Sequence, residues 1–233
     1  MSASSDDTPP PTWGPMRSYG RIKSRTLKPR QAALFDSLLP QIAVPEAGPV
    51  EPRALMPNAK AAWIEIGFGG GEHLAAQAEQ RPDTLMIGCE PFLNGVGSAL
   101  RHIDERALKN VRLHAGDARD VLARVPDGAL ERVMVLFPDP WPKARHHKRR
   151  LVQPETLAEF ARVLRPGGLF RFATDWKDYA DWTLERALKA PGLRWTADEA
   201  DDWRTPWADH VTTRYEEKKL GDTPPIFLEF IRT

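Results

Sequence analysis

The sequence predicts an α/β fold: an open, doubly wound, seven-stranded, mostly parallel sheet preceded by a basic N-terminal arm. Three observations predict it. From Ala61 onward, short apolar runs alternate with helix-length stretches, the pattern of parallel strands covered by helices on both faces. A glycine-rich turn, Gly67 to Gly71, follows the first run. Acids then close later runs at Glu90, Asp117, Asp139 and Asp175. Those are the carboxyl ends of strands, where open α/β sheets bind ligands.

Residues 1–58 read as a flexible basic arm, a short helix and a Pro-rich connector. Residues 59–233 read as the main domain. Pro9-Pro10-Pro11, Gly14 and Gly20 break any periodicity in the arm. Ala33, Leu34, Leu38 and Leu39 share one face of a helix expected from Arg30 to Leu39, and Pro40 to Asn58 is connector. Strands are expected at 62–66, 84–89, 110–114, 131–137 and 168–174. Helices are expected near 72–80, 91–105, 118–124, 154–164 and 176–190. Two late strands follow, Leu193–Thr196 and Ile226–Arg232, and no internal repeat occurs.

At 233 residues the chain can bury roughly 70 % of its unfolded surface. Eight Trp and 41 % hydrophobic residues exclude a disordered chain. No apolar run approaches the length of a membrane span, and the acidic, Pro-rich start is unlike a secretory signal. The single cysteine, Cys89, excludes an internal disulfide and points to a reducing, cytoplasmic setting. The six His show no metal-ligand spacing with Cys, so no metal is expected.

Net charge is only +1, but it is unevenly spread. Arg17, Arg21, Lys23, Arg25, Lys28 and Arg30 form one island without an acid. Lys143, Arg145, Lys148, Arg149 and Arg150, with His146 and His147, form a second. Removing these 11 from 33 basic residues leaves 22 against 32 acids, a net of −10 elsewhere. An acidic body with two basic islands suits a directed contact with a polyanion.

In Trp63-Ile64-Glu65-Ile66-Gly67-Phe68-Gly69-Gly70-Gly71 a strand runs into a glycine turn that lets backbone approach a ligand. The glycines alone fit a nicotinamide site, an S-adenosylmethionine site or a tight strand–helix junction. The acids discriminate further. Glu65, just before the turn, repels a pyrophosphate but attracts the ammonium and sulfonium of S-adenosylmethionine. Glu90 can accept both hydrogen bonds of a ribose diol. Asp117, in Gly116-Asp117-Ala118, can face an adenine amino group or cap the next helix, and the two are compatible.

The fourth strand delivers Phe137-Pro138-Asp139-Pro140-Trp141-Pro142-Lys143. Proline biases each preceding residue toward extended geometry, so Asp139, Trp141 and Lys143 are expected on one face. Together they could hold a purine: Trp141 stacked on the ring, Asp139 at its positive edge, Lys143 at O6 or a phosphate. A rigid Pro loop whose Trp fills the core is the alternative. Asp175 reads either as a helix N-cap or as part of the acceptor rim. Thr212-Thr213-Arg214-Tyr215-Glu216 offers a hydroxyl, an aromatic and an acid, although alone it would pass for surface.

At this point the chain resembles the bacterial tRNA (guanine-N7-)-methyltransferases of the TrmB type, Rossmann-like class I AdoMet enzymes. The resemblance runs from about Arg17 to the C-terminus. It rests on Ser18-Tyr19-Gly20-Arg21, Glu65–Gly69, Gly88-Cys89-Glu90-Pro91-Phe92, Phe137 through Arg150, and Thr213–Glu216. It implies S-adenosylmethionine as methyl donor and a guanine of the tRNA variable loop as acceptor. Implied on the cofactor side are Glu65, Gly67, Gly69, Glu90, Asp117, Ala118 and Asp139, with Asp139 also catalytic. Lys143, Asp175, Thr213, Arg214, Tyr215 and Glu216 match substrate positions. Arg145, His146, His147, Lys148, Arg149 and Arg150 match the RNA-contacting stretch. Such proteins include monomers and homodimers, which leaves assembly open.

Overall fold

A computed structural model describes residues 26–218 and 220–233. The Ser18–Arg21 block and the island residues Arg17, Arg21, Lys23 and Arg25 lie outside the described residues. In chain order the elements are α1 (Pro29–Ser37), α2 (Leu39–Ile42), α3 (Pro52–Leu55), β1 (Ala61–Ile66), α4 (Glu72–Gln80), β2 (Thr84–Cys89) and α5 (Leu93–Glu105). Next come β3 (Val111–His114), α6 (Ala118–Leu122), β4 (Leu130–Leu136), a 3₁₀ helix (Ala144–Arg149), α7 (Pro154–Val163) and β5 (Leu164–Thr174). The chain closes with α8 (Lys177–Ala187), β6 (Leu193–Trp195), α9 (Asp201–Arg204), α10 (Arg214–Lys218) and β7 (Ile226–Arg232).

The predicted doubly wound sheet is present, in the order β3-β2-β1-β4-β5-β7-β6. β1 pairs in parallel with both β2 and β4, while β7 runs antiparallel between β5 and β6. The chain winds outward from β1 through β2 and β3, then returns to its other side with β4. That reversal opens a crevice beyond the carboxyl ends of β1 and β4.

Strand alternation divides the core. Ile64 and Ile66 face one layer with Val133, Val135, Phe160, Phe170, Phe172 and Tyr179. Trp63 faces the opposite layer with Phe68, Leu74, Met86, Val96, Leu100 and Met134, under α4 and α5. Glu65 shares the parity of Trp63, so β1 aims its carboxylate at α4.

The Pro-rich segment before β1 is not a free connector. Val44 and Val50 are buried, and the Val44 N–H donates to the Leu113 carbonyl at the β3 edge (2.9 Å). Two apolar side chains anchor what its prolines disguise. Arg30 of the first basic island pairs with Asp104 and Glu105 on α5, both at 3.0 Å, which ties α1 to the domain. The expected single helix breaks at Leu38, and α2 begins at Leu39 with Pro40 in its first turn.

Candidate active site

Gly67 and Gly69 both take left-handed φ, 74° and 56°, so the turn after β1 needs residues without Cβ. A Cβ at either position would meet nothing within 4 Å. The turn therefore borders open space, which is the room a ligand requires. Glu90, buried after β2, accepts the Gly69 N–H at 2.8 Å and the Phe92 N–H at 2.9 Å. Burial raises its carboxyl pKa. The two N–H groups oppose the rise, and the charges of Asp139 and Glu65 add to it. Asp139 and Glu65 therefore lie within electrostatic reach of Glu90.

Glu65 lies deeper than its motif implies. It is only 3 % exposed, and its Oε2 is 2.7 Å from His73 Nδ1. Asp117 caps α6, accepting the Arg119 N–H at 3.0 Å, and its carboxylate also holds the Arg119 guanidinium. Burial would raise its pKa, but the Arg119 contacts outweigh it and leave the group below the usual value. Ala118 is buried in the first turn of α6.

The segment after β4 departs from extended geometry. Phe137 and Trp141 both take left-handed φ, 49° and 46°, although each precedes a proline. Bulky residues held there cost roughly 1–3 kcal/mol each and concentrate at functional sites. Asp139, Trp141 and Lys143 thus do not line one extended face. The two strained residues instead bracket Asp139, which stands open at the crevice mouth. Enough protein surrounds its carboxyl that desolvation raises the pKa.

Trp141 leaves the core and joins the basic segment. Its ring meets His146 edge-on at 6.0 Å and has the Arg149 guanidinium 4.9 Å from its centre. Lys143, Arg145 and Lys148 are exposed, and the stretch is wound as a 3₁₀ helix. Arg150 corrects the composition-based reading of this island. Only 2 % exposed, it donates to the Pro140 carbonyl at 2.9 Å, pairs with Asp178, and lies over Tyr179 and Trp182. It anchors the basic segment to α8 and has no surface to offer RNA. His147 is also partly enclosed, edge-on to Trp182 at 5.2 Å.

On the acceptor side, Asp175 does not cap α8. Its Oδ2 accepts the Gly221 N–H at 2.7 Å, and its carbonyl accepts from Asp222 and Thr223. Asp222 instead accepts the first helical N–H, that of Lys177, at 2.9 Å. In the 213–216 segment Tyr215 is half-exposed, and its hydroxyl pKa is raised by desolvation, with the charges of Asp139 and Glu90 adding. Tyr215 thus lies within electrostatic reach of Asp139 and Glu90. Glu216 turns inward: it bonds His210 Nε2 at 2.9 Å and accepts the Thr213 N–H at 2.7 Å. Burial pushes its pKa up, but His210 and Thr213 outweigh burial and lower it. Thr213 returns the bond, its hydroxyl accepting the Glu216 N–H at 3.3 Å. The Arg214 side chain lies outside the described residues.

Sequence reasoning missed the residues that seat this segment. Asp209 accepts from Arg132 (2.7 Å), Arg171 (2.6 Å) and Arg81 (3.2 Å). Arg132 and Arg171 also lie over Trp63 and Trp207. An Arg at alternate positions of two buried strands was the available signal, since a buried cation requires a partner.

A protein-family model described as "Putative methyltransferase" matches residues 59–227. The chain is 66 % identical over 219 residues to a tRNA (guanine-N(7)-)-methyltransferase of Caulobacter sp. (strain K31), covering 94 % of this chain and 96 % of that one. A protein of the same name from Hyphomonas neptunium is 50 % identical over 216 residues, covering 92 % and 99 %. Among solved structures, the antibiotic-resistance methyltransferase Kmr superposes with TM-score 0.54 at 19 % identity, over 77 % of this chain and 90 % of that one. A 16S rRNA (adenine(1408)-N(1))-methyltransferase from Catenulisporales acidiphilia gives 0.53 at 16 % identity, over 82 % and 97 %. At such identities the structural likeness speaks to the fold alone.

Proposed function

The chain belongs to the tRNA (guanine-N(7)-)-methyltransferase family, and we propose on that footing that it methylates N7 of a guanine in the tRNA variable loop. The observation that carries this reading is the strained bracket around Asp139. It sets an open, partly desolvated carboxylate at the mouth of an acidic crevice, near an exposed basic helix in sequence.

The glycine turn and the acids fit S-adenosylmethionine. Gly67 and Gly69 leave space for it, Glu65 supplies negative charge opposite its ammonium and sulfonium, Glu90 stands at the strand end read for the ribose diol, and Asp117 lies at the next strand end. When bound, S-adenosylmethionine would supply an electrophilic methyl to the N7 lone pair, its sulfonium leaving as the neutral thioether. Guanine N7 carries no proton, so Asp139 has none to remove. Its work is to orient the base and to stabilise the positive charge that reaches the purine. Arg145 and Lys148 hold phosphates, while Tyr215 borders the base at the crevice.

Purified protein incubated with S-adenosylmethionine and unmodified tRNA tests the reading, with 7-methylguanine mapped by borohydride–aniline cleavage. One cleavage in the variable loop is expected. A methylated product at another base, or donor binding without transfer to tRNA, would overturn the assignment.

A further inference from the structure

A buried polar chain runs from the cofactor crevice to the acceptor segment, and none of its middle members belongs to a recognised motif. Glu65 Oε2 lies 2.7 Å from His73 Nδ1. His73 Nε2 lies 3.2 Å from Gln77 Nε2, and that same nitrogen donates to the Asp209 carbonyl at 2.7 Å. Arg81 donates to Gln77 Oε1. Glu65, His73 and Gln77 are all at most 5 % exposed.

Two fixed ends determine every proton between them. A guanidinium only donates and a carbonyl only accepts, so the Gln77 amide has one permitted orientation. Its nitrogen then donates to His73 Nε2, which must carry a lone pair. The imidazole proton therefore sits on Nδ1 and points at Glu65. Such an assignment of the remote ring nitrogen by its own partner is how a histidine holds a working carboxylate in place.

The chain continues past Gln77. Asp209 lies inside the 207–210 turn that leads to His210 and Glu216, and the His210 ring centre is 6.0 Å from that of His73. Resting on the reading of Glu65 as a cofactor-side acid, we propose that His73 is the positioning residue of Glu65. Gln77 makes that positioning answer to the seating of the 209–216 segment. Donor and acceptor sites are thereby coupled through α4, with each better formed when the other is in place.

Calorimetry with S-adenosylmethionine, on the full chain and three variants, tests this. His73→Asn keeps a donor near Nδ1 but cannot reach Gln77; His73→Leu removes both hydrogen bonds. His73→Asn is expected to bind severalfold more weakly than wild type, as a variant that loses only the Gln77 link should, while His73→Leu binds about tenfold to a hundredfold more weakly, the worth of one bond to a charged group. Gln77→Leu is expected to weaken donor binding severalfold and to raise the KM for tRNA more than it lowers kcat. A purely structural role would instead reduce the folded fraction and leave both constants unchanged in the protein that remains. Equal affinity of His73→Leu and wild type would overturn the proposal, as would His73→Asn binding as poorly as His73→Leu. Absence of donor binding by the wild-type chain would overturn the functional reading itself, a different and visible outcome.

Discussion

Gly69 donates its backbone N–H to Glu90 Oε2 at 2.8 Å, so the carboxylate that ends β2 also braces the glycine turn that ends β1. With Phe92 on its other oxygen, Glu90 ties the turn after β1 to the start of α5. Glu90→Gln keeps one acceptor but turns the other position into a donor facing an N–H. Donor affinity is expected to fall about tenfold to a hundredfold, with about 1–3 kcal/mol lost in stability. Calorimetry and urea unfolding read the two effects, and unchanged affinity would show that the turn stands without its brace.

The chemical role proposed for Asp139 comes at some cost to folding. Its pKa is raised by desolvation, so the folded chain accommodates the charged form less well than the unfolded chain does. Stability linked to this group therefore declines as pH rises from the ordinary aspartate value to the raised one. Asp139→Asn is expected to be at least as stable as wild type at pH 7, yet slower in kcat by roughly a hundredfold to a thousandfold. The acid limb of the wild-type rate profile should lie above the ordinary aspartate range and vanish in the variant. Loss of tRNA affinity as large as the loss of rate would remove Asp139 from the reaction.

The basic segment should divide under mutation. Arg145→Ala with Lys148→Ala removes exposed cations, so tRNA binding should weaken and its salt dependence flatten by about 0.7–0.9 for each phosphate no longer neutralised. Arg150→Ala acts differently, because it leaves Asp178, Tyr179 and Trp182 without the guanidinium between them. It is expected to cost about 2–4 kcal/mol in denaturant unfolding and to alter binding only through folding. A full-sized change of salt slope in Arg150→Ala, with stability intact, would return that residue to the RNA surface.

What the sequence revealed and what it hid have a common cause. Strand-end acids such as Glu90 and Asp117 were legible because each closes an apolar run, a pattern local in sequence. Arg150 and Lys148 look alike in composition, but only the fold decides which faces Trp182. Val44 and Val50 were masked by neighbouring prolines, although Val44 fixes the segment on β3 and Val50 fixes it at Arg124 after α6. Gln77 and Asp209 stand 132 residues apart, so their bond leaves no periodic trace. Glu216, assigned to substrate by its motif, turns inward to His210 and Thr213, which form its immediate surroundings.

Asp209 gives the acid dependence of the fold. Burial alone would raise its pKa, but Arg132 and Arg171 outweigh burial and hold it far below the ordinary carboxylate value. As pH falls, the unfolded chain takes up this proton before the folded one does. The stability that Asp209 contributes is therefore whole above about pH 5 and is lost progressively below it. Asp209→Asn keeps the shape but removes the charge shared by three guanidinium groups. At pH 7 it is expected to be about 2–3 kcal/mol less stable, below the range for a fully buried pair because Asp209 retains 22 % side-chain exposure. Its stability should also change less between pH 5 and pH 3 than that of wild type. Because the same residue seats the turn leading to Tyr215, tRNA KM should rise, and donor binding should weaken severalfold with it through the Gln77 link. Parallel acid profiles for the two proteins would show that the arginines hold the segment by geometry and not by charge.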